Sequence, residues 1–236
     1  MKEKTERDNR TLVAFWDRAL ALSDGDREQA NEGGDAGWKE SAPSEKLYQA
    51  AASLGGRRKV LDYGCGGAWA GIIAAKCGCR DVTAADAAPG AVETARFYAD
   101  LYGVGDRVKA CLAPPGWLGS VTSETYDGFF CSNVLDVVPP ETAGEILRES
   151  ARIVTGDASV IVGLNYFLSP EAAAARGLAP EEGRMLYIDG VLRLVSRTDE
   201  EWEELFSPLY RVTRLEHFAW PGEKEEKRRL FYLRRR

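Results

Sequence analysis

The residues most able to do chemistry lie in one glycine-rich turn and in an acid that follows it. Gly64, Gly66 and Gly67 separate an apolar run typical of a strand from an apolar run typical of a helix. Because glycine has no Cβ, the backbone can turn sharply here and admit a ligand closely. The helix aims its free N–H groups at the turn, which favours an anionic group. Asp86 ends the next strand-like run, 22 positions after Gly64. In nucleotide-binding βαβ units, an acid at this place accepts hydrogen bonds from ribose hydroxyls.

The turn fits a dinucleotide fingerprint poorly. The last position of G-x-G-x-x-G needs a small residue so that helix and strand can pack closely, and Trp69 occupies that position. An NAD-linked oxidoreductase on a similar sheet remains an alternative interpretation, which Trp69 disfavours.

The elements around the turn must bring its residues to one edge of a sheet. Strand-like runs alternate with helices of ten to fifteen residues, a pattern that predicts an α/β fold with helices on both faces of a parallel sheet. Ligands on such sheets bind beyond the carboxyl ends of the strands. After the strand that precedes the glycine turn, the predicted strands are Asp81–Ala85, Val108–Leu112, Tyr126–Cys131 and Ala158–Leu164.

Both ends of the chain depart from this alternation. Helical spacing predicts an amphipathic helix over about Thr5–Leu22, and the polar segment 23–39 is predicted to be a loop. Downstream, Asp189-Gly190 between two β-rich runs predicts a hairpin. We expect one domain in four parts: a helical cap (1–56), a core (57–164), an inserted hairpin segment that covers the substrate (165–198), and a C-terminal helix with antiparallel strands (199–236).

The string Leu61-Asp62-Tyr63-Gly64-Cys65-Gly66 resembles the D-x-G-C-G motif of class I S-adenosylmethionine (SAM)-dependent methyltransferases. The likeness extends over about 47–164. It implies a doubly wound, mostly parallel seven-stranded sheet with a C-terminal antiparallel strand pair and N-terminal helices. It also implies SAM as cofactor and S-adenosylhomocysteine as product. The positions that the resemblance assigns to the cofactor are Asp62, Gly64, Cys65 and Gly66 for the methionine end, Asp86 and Ala87 for the ribose, Ala113 and Pro114 beside the adenine, and Ser132 and Asn133 after the fourth strand.

No general base is required if the methyl acceptor is already nucleophilic, because the reactive group belongs to the cofactor. If a base is used, the candidates are Asp136, Tyr166 and His217. For Asp136 a role as cap of the helix at Pro139 is favoured, and for the single histidine a structural role is favoured. The residues expected on the substrate side are Trp38, Tyr166 and Tyr187.

Net charge, cysteine spacing and the length of apolar runs argue against several classes of protein. The chain has 236 residues and a formal net charge of −6, which argues against general nucleic-acid binding. The five cysteines form no C-x-x-C pair, so we expect no metal site and a reducing, cytoplasmic location. No apolar run approaches the length of a membrane span. Together with the resemblance, this leads us to expect a cytoplasmic SAM-dependent methyltransferase acting on a small molecule. A protein or a modified nucleoside is an alternative acceptor, and a non-catalytic SAM-sensing module is an alternative function. The sequence leaves the oligomeric state open.

Overall fold

The computed structural model describes residues 2–236 and places seven strands in one sheet. Their order is β3-β2-β1-β4-β5-β9-β8. The first five strands are parallel, and β9 runs antiparallel to both β5 and β8. The strands are β1 (Val60–Tyr63), β2 (Val82–Asp86), β3 (Val108–Leu112), β4 (Tyr126–Ser132), β5 (Val154–Leu164), β8 (Tyr210–Phe218) and β9 (Arg228–Arg235). The expected sheet is thus confirmed, including its closing antiparallel pair.

Helices cover both faces of the sheet. Side chains of a strand alternate between faces, so Leu61 and Phe129 belong to one apolar cluster, and Val60 and Phe130 belong to the other. No helix within residues 2–236 has the length and apolar character needed to cross a membrane. The helices are α1 (Lys2–Leu20), α2 (Asp24–Gly33), α3 (Glu45–Ala52), α4 (Trp69–Lys76), α5 (Pro89–Leu101), α6 (Pro140–Ile153), α7 (Pro170–Ala174) and α8 (Asp199–Phe206).

A two-stranded hairpin forms a second, smaller sheet from β6 (Met185–Ile188) and β7 (Val191–Val195). Asp189 and Gly190 have φ values of 50° and 75°, the left-handed conformation that a tight hairpin turn needs. The strand register shifts between Leu186 and Tyr187, which pair with Leu194 and Leu192. The residue between those two partners, Arg193, is therefore the extra residue of a β-bulge.

The predicted loop over 23–39 is wrong. Residues 24–33 form α2, and a 3-10 helix follows over Gly34–Trp38. The physical reason is a capping box: the Ser23 hydroxyl accepts from the Asp26 N–H, and the Asp26 carboxylate accepts from the Ser23 N–H. This local start signal outweighs a composition that is typical of loops.

Candidate active site

A cavity of about 550 Å³ lies at the carboxyl ends of β1, β2 and β4, and α1 and the β6–β7 hairpin border it on the outer side. This volume is within the ~300–1,000 Å³ range of small-molecule sites. We call the part formed by residues 64–67 and Asp86 the glycine-loop end. The part formed by Tyr166, Arg193, Trp220 and Arg228 is called the hairpin end.

Within the glycine loop, glycine is required most strictly at position 64. Gly64 has φ of 68°, and a Cβ built on it would lie 2.2 Å from Cγ2 of Val134. The N–H groups of Gly64 and Cys65 both donate to the carbonyl oxygen of Ala85, at 2.8 and 3.2 Å. The loop is therefore held against the end of β2 by backbone hydrogen bonds, with no room for a larger residue at position 64.

Asp86 points its carboxylate at the glycine loop. Its Oδ2 accepts from the N–H of Gly66 at 2.9 Å, and its Oδ1 accepts from the N–H of Ala88 at 2.9 Å. Burial raises the pKa of this carboxyl, and the two backbone hydrogen bonds oppose that rise. Each oxygen keeps a second acceptor site, so the group can still accept hydrogen bonds from hydroxyls in the cavity. Trp69 lines the cavity without separating Asp86 from the loop.

Asp62 lies beneath the loop and is absent from the cavity lining. Its side chain is 3% exposed, and its Oδ2 accepts from the N–H of Gly71 in α4 at 2.9 Å. Burial raises the pKa of Asp62 to about 7, partly offset by the Gly71 hydrogen bond. Its position makes it a brace between β1 and α4.

The loop after β4 presents an acceptor that lacks a partner. Asn133 lines the cavity in a left-handed conformation, with φ of 57°, and its N–H donates to Gly163 O at 2.8 Å. Within residues 2–236 its buried Oδ1 accepts no hydrogen bond. A buried oxygen of this kind is costly unless a donor reaches it. Ser132 borders the cavity beside it.

Of the remaining positions that the resemblance assigns to the cofactor, three line the cavity and one lies outside the lining. Cys65, Ala87 and Ala113 line the cavity, and burial raises the pKa of the Cys65 thiol. Pro114 does not line it, whereas the next residue, Pro115, does.

Of the expected substrate-side residues, only Tyr166 borders the cavity. Its hydroxyl accepts from Nη1 of Arg176 at 3.0 Å. Trp38 instead packs against Tyr48 in the cluster around α3 and α4. Tyr187 donates its hydroxyl to Oδ2 of Asp8 at 2.7 Å and so ties the hairpin to α1.

The base candidates Asp136 and His217 also lie outside the cavity lining. His217, on β8, has its Nε2 3.1 Å from Oδ2 of Asp199. The predicted cap role of Asp136 is wrong, because no side chain caps α6 at Pro139. Asp136 is fully buried, and its Oδ2 instead accepts from the backbone N–H and the side-chain amide of Asn165.

The Asn165 side chain connects buried Asp136 to Arg228 in the cavity lining. The Asn165 side-chain oxygen accepts from Nη1 of Arg228, and the rest of that guanidinium binds Glu223 at 2.7 and 2.8 Å. The Arg228 guanidinium also lies 3.5 Å from the ring centroid of Trp220. The hairpin end thus contains a fixed, charge-neutralised arginine.

Sequence reasoning missed most of the hairpin end. Arg193, Trp220 and Arg228 come from three segments whose pairing only the folded chain reveals. Helical spacing in the sequence predicts the apolar face of α1, but it does not reveal that this face lines the cavity. The α1 residues that line the cavity are Asn9, Leu12, Val13, Trp16 and Leu20.

Comparison with known proteins agrees with this geometry. Residues 60–157, which include the glycine loop, Asp86 and the loop after β4, match the model of a methyltransferase domain. The matched residues form a methyltransferase domain of the class I SAM-dependent type, whose methyl donor is SAM.

Individual relatives match this chain over only part of their own length. A ribosomal protein L11 methyltransferase of Cupriavidus necator is 36% identical over 116 residues, 49% of this chain and 35% of that protein. A ubiquinone biosynthesis O-methyltransferase of Neisseria meningitidis is 29% identical over 160 residues, 66% of this chain and 60% of that protein. The chain spans 34% to 40% of the length of the ribosomal-protein methyltransferases that it matches.

Solved structures share the fold at low identity. The N-methyltransferase NodS of Bradyrhizobium japonicum, in complex with S-adenosylhomocysteine, superposes with a TM-score of 0.62 at 14% identity, covering 95% of this chain and 98% of NodS. Magnesium protoporphyrin IX methyltransferase of Synechocystis, also with S-adenosylhomocysteine, gives 0.61 at 17% identity, covering 81% and 82%.

The residues of the methyltransferase domain fit SAM. The ribose hydroxyls can donate to the free acceptor sites of Asp86, and an N–H or O–H donor of the cofactor can satisfy Asn133 Oδ1. Ala87, Ala113 and Pro115 offer an apolar edge for the adenine ring. The bound cofactor supplies a sulfonium-activated methyl group, and the protein contributes binding, orientation and exclusion of water.

Proposed function

We propose that this protein transfers the methyl group of SAM to a small-molecule acceptor bound at the hairpin end of the cavity. The observation that carries the proposal is the cover over the cavity. α1 and the β6–β7 hairpin, which lie outside the matched methyltransferase domain, both contribute to its lining. A covered cavity admits a small molecule more readily than a folded protein or a ribosome.

Polar contacts join the two parts of the cover, α1 and the segment that contains the hairpin. The Tyr187 hydroxyl binds the Asp8 carboxylate at 2.7 Å, and Lys4 binds Glu181 at 2.9 Å. On its inner side, α1 is fixed to α5, because Asp17 accepts from the Gly90 N–H at 2.6 Å. These contacts favour a stable wall that keeps water from the acceptor.

The cavity lining is suited to positioning the methyl acceptor rather than to removing a proton from it. Asp86, at the ribose position, is the one carboxylate among the described residues that line the cavity. The acceptor site then acts by holding its nucleophilic atom at roughly 3–3.5 Å from the methyl group, in line with the bond that breaks. An acceptor that is already nucleophilic needs no more than this placement and the exclusion of water.

The experiment that tests the proposal follows the methyl group. The purified chain is incubated with methyl-labelled SAM and either a small-molecule extract or washed ribosomes with protein. We expect S-adenosylhomocysteine to form and the label to enter the small-molecule fraction. Label in ribosomal or other protein contradicts the acceptor class.

The same experiment separates the alternatives. SAM binding without label in any fraction supports a sensing module, and binding of NADH in preference to SAM supports an oxidoreductase. A matched pair of variants checks the site: Asp86→Ala should reduce label transfer, whereas Asp81→Ala, at the opposite end of the second-strand region, should not. The Asp81 side chain is 50% exposed and pairs with Lys59.

A further inference from the structure

Arg193 is the one cation of the cavity lining that has no counter-charge. Within residues 2–236, no carboxylate lies within ion-pair distance of its guanidinium, and no side-chain hydrogen bond to it is formed. Arg228, the other arginine of the lining, is neutralised by Glu223. A partly buried guanidinium without a partner costs free energy, and a bound anion would recover it.

The backbone of the hairpin places Arg193 at the cavity. In a regular strand, consecutive side chains point to opposite faces, yet both Arg193 and Leu194 line the cavity. The β-bulge explains this, since Arg193 is the residue without a cross-strand partner between Leu192 and Leu194. Bulges of this type re-aim a side chain, often next to active sites.

Aromatic rings of α1 hold the guanidinium in position. The Arg193 guanidinium carbon lies 4.2 Å from the ring centroid of Phe15 and 5.5 Å from that of Trp16. Stacking on a ring face leaves the edge of the guanidinium, with its N–H donors, free for a planar anion. The site is therefore preorganised without using the hydrogen-bonding capacity of the arginine.

The surroundings favour one class of acceptor. Apolar groups of Val13, Ile188, Leu194 and Trp220 line the same cavity, and its one acid among the described residues, Asp86, already accepts hydrogen bonds from the N–H groups of Gly66 and Ala88. The hairpin end therefore has an excess positive charge beside an apolar wall. A cationic acceptor would be repelled, and an anionic apolar one attracted.

We infer that Arg193 binds an anionic group, a carboxylate or a phosphate, on an apolar or aromatic methyl acceptor. This inference rests on the proposed function, because it takes the hairpin end as the acceptor site. It assigns the acceptor's anion to the bulge arginine, and its apolar body to the wall between α1 and the hairpin.

The test uses the full chain saturated with S-adenosylhomocysteine and three probes of one shape: 2-naphthoate, 2-naphthyl phosphate and the uncharged 2-naphthamide. Calorimetry should show at least one anion binding about tenfold more tightly than the amide. The tighter of the two anions identifies the carboxylate or the phosphate as the preferred group. Equal affinity for the amide and both anions overturns the inference.

Variants assign the effect to the residue. Arg193→Gln should remove the preference for the anion by about tenfold, and Arg193→Lys should retain part of it because the charge remains. Arg211→Gln is the matched control, since Arg211 is an exposed strand arginine outside the cavity lining. Circular dichroism confirms that each variant is folded.

The outcomes separate this inference from the proposed function. Loss of S-adenosylhomocysteine affinity in Arg193→Gln, with anion binding unchanged, assigns Arg193 to the cofactor and overturns the inference alone. Absence of cofactor binding in the wild-type chain defeats the proposed function itself. Anion preference that persists in Arg193→Gln also overturns the assignment.

Discussion

The two ends of the cavity are held together differently. At the glycine-loop end, hydrogen bonds to backbone atoms of the core hold the loop in place. At the hairpin end, the contacts are between side chains from segments that are distant in sequence. Gly64 and Cys65 bind the carbonyl of Ala85, and Asp86 binds the N–H of Gly66. At the hairpin end, Arg228 meets Asn165 across 63 positions of sequence. The first construction leaves little room for a larger residue, because a Cβ on Gly64 would lie 2.2 Å from Val134 Cγ2. The second can vary with the acceptor while the core stays intact.

The largest effect is expected from Gly64→Ala, which tests how little the glycine-loop end tolerates. The new Cβ would require a left-handed conformation of a residue other than glycine and would lie 2.2 Å from Val134 Cγ2. We expect a loss of roughly 3 kcal/mol or more in the free energy of unfolding, from strain and overpacking together. We also expect SAM affinity to fall by at least about 100-fold. Urea unfolding and calorimetry measure the two effects.

Gly56→Ala is the control, because a Cβ there meets nothing within 4 Å and φ is not positive. SAM affinity of Gly64→Ala within twofold of the wild type would mean that the loop is more adaptable than its contacts indicate.

Asp62→Asn tests whether the brace beneath the loop is held as a neutral acid. The folded chain keeps the Asp62 proton up to about pH 7, whereas the ordinary value is 3.8. The folded state therefore binds more protons between these values, and its stability falls as pH rises through this window. Asparagine does not titrate. The unfolding free energy of the wild type relative to Asp62→Asn should fall by about 2–3 kcal/mol from pH 5 to pH 8.

Urea titrations of both proteins at the two pH values give this difference. A difference that does not change with pH would show that Asp62 is ionised in the folded protein throughout the range.

Asp86→Ala should weaken SAM binding by roughly 1–3 kcal/mol, because hydrogen bonds to the ribose and to the Gly66 N–H are lost together. Asp86→Asn retains one oxygen acceptor and should lie between this variant and the wild type. Calorimetry with SAM measures all three. Asp81→Ala should bind as the wild type does, and unchanged affinity of Asp86→Ala would assign the ribose to another residue.

The smallest effect is expected from Tyr187→Phe, which loosens the hairpin end without touching the glycine loop. The variant removes the hydrogen bond to Asp8, whose side chain is 4% exposed, and should cost about 1 kcal/mol locally. Hydrogen exchange should become several-fold faster in α1 and the hairpin and stay unchanged in β1 and β4. Tyr98→Phe is the control, since the Tyr98 hydroxyl forms no hydrogen bond within residues 2–236. Faster exchange throughout the sheet would mean that the two ends are coupled.

The sequence by itself determined the parts of this protein whose signals are local. The glycine turn, the capping boxes at Ser23 and Thr198, the Asp189-Gly190 turn and the alternation of strands and helices each need only neighbouring residues. These signals predicted the sheet, the hairpin and Asp86 at the loop. The capping box at Ser23 starts α2 within a segment whose polar composition by itself predicts a loop.

Only the tertiary structure decided the rest, because it depends on which distant segments meet. Asp62 belongs to the motif but lies under the loop, since its carboxylate is taken by the Gly71 N–H. Tyr187 is expected from the sequence to lie beside the substrate, yet it is outside the cavity lining and binds Asp8. Arg193 reaches the cavity because a bulge breaks the alternation of β7, and a bulge is set by the register of the partner strand. The acceptor end is therefore encoded in packing between segments, which sequence spacing does not reveal.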